Sequence, residues 1–138
     1  MVISTKGRYA LRVMTNLARR SREYVPLKQI AEEEQISQKY LEAIMTTLSK
    51  AGMVDAVHGK GGGYRLNRSP EQYTVGSILK LTETGLSSVA CNVEGDGACD
   101  RSAQCVSRSL WQRLDRLIDD FLESTTLADM LAEQLLQN

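Results

Sequence analysis

Ser37-Gln-Lys-Tyr-Leu-Glu-Ala-Ile-Met-Thr-Thr-Leu-Ser-Lys-Ala-Gly-Met-Val-Asp-Ala-Val-His-Gly-Lys-Gly-Gly-Gly-Tyr64 changes period halfway along. In its first half Leu41, Ile44, Met45 and Leu48 recur at helical spacing, with Ser37 placed to cap the N-terminus and Gly52 to close the helix at C′. Just upstream, Pro26 fits a first helical position, and Leu27, Ile30 and Ala31 form the apolar stripe of a short helix. The pattern breaks around Glu34–Ile36 for a tight turn. A short helix, a tight turn and a second amphipathic helix make a helix-turn-helix. From Val54 to Leu66, two brief β-prone runs flank a glycine-rich tip, which predicts a hairpin with a mobile end in the position of a wing. Gly59-Lys-Gly-Gly-Gly63 is not a phosphate-binding loop, because it lacks the GK[ST] ending and no long amphipathic helix follows it.

Working outward, Tyr9, Ala10, Val13, Met14, Leu17 and Ala18 predict a first helix, with Ser4 or Thr5 as its N-cap. A further helical segment is expected from Tyr73 to about Thr82, with Val75, Ile78 and Leu79 on one side. A long helix then runs from about Ala103 to Leu122, roughly 30 Å at the usual rise. Its stripe of Leu110, Leu114, Leu117, Ile118 and Phe121, widened by Trp111 and Leu122, exceeds what a small domain covers and calls for a partner subunit. Thr126 with Asp129 resembles a capping box opening a final helix that carries Leu127, Met130 and Leu131. The fold class is therefore mainly α with a small β-hairpin wing. Residues 1–82 form a winged helix-turn-helix domain, 83–104 a cysteine-containing loop, and 103–138 a dimerisation helix and C-terminal helix.

At 138 residues the chain is one domain, or one domain with an appended element. It has no apolar run long enough to cross a membrane and no signal peptide at Met1 to Met14, so the cytoplasm is expected. The 17 basic and 17 acidic side chains cancel, but unevenly. Residues 1–68 carry 12 of the basic and 6 of the acidic groups, a local excess that suits a nucleic-acid footprint. On the polar side of the third helix, Gln38, Lys39, Glu42, Ala43, Thr46 and Ser49 are suited to base edges and phosphates. Lys6 and Arg8 are placed to hold the DNA backbone, and His58 and Lys60 to enter a minor groove. Ser37, Tyr40, Gly59 and Gly61 complete the candidate DNA-binding set. No nucleophile–base pair or open catalytic metal site is apparent, which argues against an enzyme.

All three cysteines, Cys91, Cys99 and Cys105, fall within one polar, glycine-bearing stretch. An odd number in a cytosolic protein argues against a disulfide framework and for a soft metal centre or redox chemistry. Zinc would call for Cys-x₂-Cys pairs or nearby histidines, and a dithiol enzyme for Cys-x-x-Cys; neither is present. The wide spacing suits a chelate wrapped around an inorganic cluster, with Cys105, near a helix N-terminus, the readiest to ionise. Three thiolates leave one ligand position open. The candidates are Glu94, Asp96 or Asp100 in the loop, Glu42, a partner-subunit side chain or an exogenous group.

Ile3-Ser-Thr-Lys-Gly-Arg-Tyr-Ala-Leu-Arg-Val-Met14, Ile36-Ser-Gln-Lys-Tyr-Leu-Glu42, Gly59-Lys-Gly-Gly-Gly-Tyr64 and Leu110-Trp111 together resemble the IscR family of iron–sulfur cluster regulators. They also resemble its wider winged-helix superfamily, which includes nitric-oxide, iron and cysteine-metabolism regulators. The resemblance spans nearly the whole chain. It implies a homodimeric bacterial transcription factor that binds a double-stranded DNA operator and dimerises through the long helix. It also implies a [2Fe–2S] cluster in the preceding loop (the alternative being [4Fe–4S]), supplied by cluster-donor proteins. This chain departs from the pattern at several points. Arg108 stands where such proteins carry a histidine three residues past the third cysteine, and an arginine cannot ligate. Cys99 follows Cys91 at a longer interval than usual, His58 replaces the usual wing arginine, and Arg8 stands where nitric-oxide sensors have an aspartate. Glu42 is then the candidate fourth ligand, against a role in base choice. The rivals are a cluster-free regulator controlled by thiols or a partner, and an electron or cluster carrier.

Overall fold

The computed structural model describes residues 1–20, 22–89 and 105–137. The helices are α1 (Thr5–Ala18), α2 (Leu27–Glu34), α3 (Gln38–Lys50), α4 (Val75–Thr82), α5 (Arg108–Ser124) and α6 (Leu127–Gln137). The strands β1 (Val54–Val57) and β2 (Gly63–Leu66) pair antiparallel, with Val54 opposite Leu66 and Val57 opposite Gly63. A single 3₁₀ turn, Pro70–Gln72, links the hairpin to α4. This is the winged helix-turn-helix fold, mainly helical with one two-stranded wing, as the sequence predicts.

Local chemistry sets most boundaries. The Ser4 hydroxyl accepts the Gly7 N–H and the Ser37 hydroxyl accepts the Tyr40 N–H, so both helices start where a capping side chain is available. α2 begins one residue later than expected, with Pro26 as its N-cap, and ends at Gln35 in the left-handed region (φ 55°). Thr126 and Asp129 exchange side-chain-to-backbone bonds of 3.1 and 2.9 Å at the start of α6, the reciprocal cap their spacing suggests.

Two further helices, α5 and α4, differ from the sequence expectation at their boundaries. α5 starts at Arg108 rather than near Ala103 and continues to Ser124, while Cys105, Val106 and Ser107 precede it. α4 starts at Val75, capped by Thr74, which frees Tyr73 for another task.

The core joins Val13, Met14 and Leu17 of α1 to Ile30 of α2 and to Leu41, Ile44, Met45 and Leu48 of α3. Ile78 of α4 and Leu127 of α6 complete it. One buried polar side chain, Asn16, donates to Glu34 Oε2 at 2.7 Å and accepts from Arg20, tying α1 to the helix-turn-helix. Arg20 also forks onto Glu33, and that hydrogen bond holds the Glu33 carboxyl below the usual glutamate range. The resulting stability is complete above the ordinary value of 4.5 and fades as the pH drops below it. Thermal unfolding should therefore shift more between pH 5 and pH 3 in the protein than in Glu33→Gln.

Tyr73 is fully buried and its hydroxyl anchors the base of the wing. It donates to the Met53 carbonyl at 2.8 Å and accepts the backbone N–H groups of Asn67 and Arg68 at 3.0 and 3.2 Å. Tyr73→Phe leaves these groups unpaired, so a loss of about 3 kcal/mol is expected, readable in the denaturant midpoint. An isolated bridge between Val25 and Tyr64 adds a third rung beside the hairpin. It fixes the wing against the connection leading into α2.

Candidate nucleic-acid interface and the cysteine segment

α3 turns Leu41, Ile44, Met45 and Leu48 inward and leaves Gln38, Lys39, Glu42, Ala43 and Thr46 exposed, while Ser49 is half-buried. The wing lies beside this face, and together they enclose a groove of about 520 Å³. Gln38, Glu42 and Thr46 line it from α3, Val57, His58 and Gly59 from the wing, and Lys28 from α2. Gly59, Lys60 and Gly61 are exposed at the tip, where the Gly62 N–H closes a turn on the Gly59 carbonyl at 3.0 Å.

α1 flanks the groove-bearing helix. Lys6 Nζ donates to Thr47 Oγ1 of α3 at 3.0 Å, and Arg8 donates to Thr5 Oγ1 at 3.1 Å. Tyr40 packs edge-on against Tyr9, with ring centroids 5.7 Å apart. Arg12 stacks over Tyr9 at 5.1 Å and binds Glu34, so the exposed start of α3 is buttressed from α1. Ser37 is exposed but already occupied as the cap of α3. The structure thus brings Glu42 and His58 to one groove, while Lys6 bonds to α3, Tyr40 packs on Tyr9 at the start of α3 and Lys60 is exposed at the wing tip.

The cysteines are only partly placed. Cys105 is exposed, and its carbonyl accepts the Arg108 N–H at 3.3 Å as α5 begins. Cys91 and Cys99, with Glu94, Asp96 and Asp100, lie outside the described residues. Among the described residues no group of three potential metal ligands forms, and Glu42 lines a groove together with His58.

Sequence reasoning missed Arg12, Glu83 and Asp115. Each acts through a partner at least twenty-two residues away, so no local spacing marks it.

α5 packs on α4 through Lys80, whose ammonium bridges Asp119 and Glu123 at 2.8 Å each. Asp119 first, then Glu123, hold Lys80 above the ordinary lysine range. The opposite side of α5 is uncovered: Leu110 is 49% exposed, Leu114 37%, Leu117 67% and Phe121 66%.

A recognition helix, a wing and a shared groove beside basic side chains define a winged-helix DNA-binding protein. Residues 3–133 match Rrf2, described as an iron-dependent transcriptional regulator, and the chain belongs to this family of transcriptional regulators rather than to an enzyme family. It is similar to the HTH-type transcriptional regulator IscR of Vibrio parahaemolyticus, with 35% identity over 96% of this chain and 79% of that protein. The IscR of Erwinia tasmaniensis is 36% identical over 97% of this chain and 81% of that protein. Among solved structures, T. potens IscR superposes with a TM-score of 0.77 at 36% identity, covering 97% of this chain and 88% of that one. CymR, the global cysteine regulator of B. subtilis, superposes with a TM-score of 0.78 at 35% identity, covering 96% and 98%. Among the described residues no helix is long and apolar enough to cross a membrane.

Proposed function

We propose that the chain is a homodimeric transcription regulator that reads a two-half-site operator and senses iron–sulfur cluster status through Cys91, Cys99 and Cys105. The observation that carries the DNA reading is the groove between α3 and the wing, which Gln38 and Glu42 line with polar groups suited to base edges. Lys6, Arg8 and Lys60 supply phosphate contacts at its margins, with His58 on the wing wall. Lys60→Ala should weaken binding about equally across sequences and lower the slope of log affinity against log salt by about one. Glu42→Ala should instead change base preference, since its carboxylate lines the groove.

The second copy of the chain covers α5. Leu110, Leu114, Leu117 and Phe121 alternate at four- and three-residue steps, the seam of a paired helix. Arg113 and Arg116 flank the first half of this seam and Asp120 the second. An antiparallel pair sets each basic half against the partner's acidic half, whereas a parallel pair stacks like charges.

The donor set fits a cluster in kind. Three thiolates are confined to the segment joining α4 to α5, and Arg108 offers no fourth ligand. Bound there, a cluster would cross-link that segment and bias its conformation. A [2Fe–2S] centre is the favoured form, with Glu42, a loop carboxylate or a partner group completing it. Anaerobic purification followed by iron and sulfide assay tests the reading. About two of each per chain supports it, with loss in Cys99→Ser. No iron after anaerobic reconstitution leaves a DNA-binding regulator controlled by thiols or a partner.

A further inference from the structure

A strap of six residues runs from the end of α4 toward Cys91, and it is fastened at both ends. At its start, Glu83 accepts the Ser4 backbone N–H and the Ser4 hydroxyl, each at 2.5 Å, and so holds the residue that caps α1. Gly7 makes room for this approach, since a Cβ there would lie 3.1 Å from Glu83 Oε1. At its far end, Asp115 of α5 accepts the Ser88 N–H at 2.7 Å and the Ser87 hydroxyl at 3.0 Å. Three residues past Ser88 is Cys91, and one residue before Asp115 is Leu114 of the exposed seam.

We propose that residues 83–88 transmit the state of the cysteine segment to α1 and α5, with Asp115 as the latch. The inference rests on the cluster-sensing reading above. A shift of Cys91 reaches Ser88 through two intervening residues. There the charge-assisted bond from Asp115 makes α5 follow the strap or release it. At the other end the same shift reaches Ser4 through Glu83, and so the first turn of α1, where Lys6 bonds to Thr47 of α3. A transmitting element needs two arrangements that its ligands can bias. The Ser88 hydroxyl is buried with no hydrogen-bond partner among the described residues, so the observed arrangement leaves one polar group for another to satisfy.

Asp115→Ala removes the latch and keeps every cysteine, groove residue and seam leucine in the sequence. Hydrogen exchange followed by mass spectrometry should show residues 84–89 and the first turn of α1 opening about tenfold faster in the variant. A rise confined to the immediate neighbours of position 115, with α1 unchanged, overturns the strap. Where the wild-type chain takes up iron, the variant should take up as much, but its cluster-loaded and cluster-free operator affinities should converge to within about twofold. A variant that keeps the wild-type difference also overturns the proposal. Iron content of the wild-type chain judges the cluster reading separately, and the exchange result then judges the strap alone. Asp115→Asn, which keeps one acceptor for Ser88, serves in place of alanine if the latter does not fold, with the same outcomes read from it.

Discussion

Replacing Leu117 with aspartate is expected to give a folded monomer whose affinity for a two-half-site operator is roughly 10²–10⁴-fold lower than that of the native chain. Leu117 is 67% exposed in the protomer, so its removal costs the protomer's own core little. The substitution acts in the assembled seam. A twofold axis places the new carboxylate in the interface twice, against the apolar side chains of both copies, and neither copy has a cation reserved for it. Arg113 and Arg116 are the nearest basic groups on the helix, and antiparallel pairing already directs them at acidic partners. Sedimentation reads the dissociation and circular dichroism the retained helix content. Losing the second half-site then removes the effective-concentration gain of a linked pair. A variant that still sediments as a dimer would move the interface off α5. Leu127→Asp is the control for folding, because Leu127 is fully buried between α6 and the core and its replacement should unfold the protomer itself.

The parts of this molecule that sequence alone conveyed are those governed by neighbours in the chain. Ser37 caps α3 because its hydroxyl reaches an N–H three residues on, and Leu41, Ile44, Met45 and Leu48 face inward because of helical period. Thr126 and Asp129 obey the same short-range geometry. The expected start of α5 lay too early because Val106 continues the apolar pattern, whereas Cys105, Val106 and Ser107 precede the helix. Tyr73 was grouped with the helix after it, yet its hydroxyl works on Met53, Asn67 and Arg68, a long-range task with no periodic trace. The site divides the same way. The polar face of α3 and the wing position of His58 were legible from the pattern, and the groove that joins them is a tertiary fact. Glu83 and Asp115 read as ordinary surface carboxylates until the fold brings Ser4 and Ser88 to them.

The glycine-rich tip, expected to be a mobile end, contains glycines with distinct physical duties, and one of them makes the second strong prediction. Gly63→Ala should lower stability by about 3 kcal/mol or more and weaken operator binding, whereas Gly61→Ala should cost about 1 kcal/mol. Both residues have positive φ, 152° for Gly63 and 78° for Gly61, so each substitution carries backbone strain. Only Gly63 adds a collision: a Cβ there would lie 2.2 Å from the Val25 carbonyl oxygen, while nothing lies within 4 Å of one at Gly61. The obstructing atom belongs to the bridge in which Val25 and Tyr64 exchange backbone hydrogen bonds of 2.9 Å, so it cannot retreat without breaking that rung. Loss of the rung frees the wing from the connection into α2 and widens the groove between His58 and Glu42. Binding should therefore fall further than the stability change alone explains, with the excess visible at temperatures where both variants are fully folded. Equal effects of the two alanines would show that the wing is held by the hairpin pairing of β1 and β2 and not by its bridge to Val25.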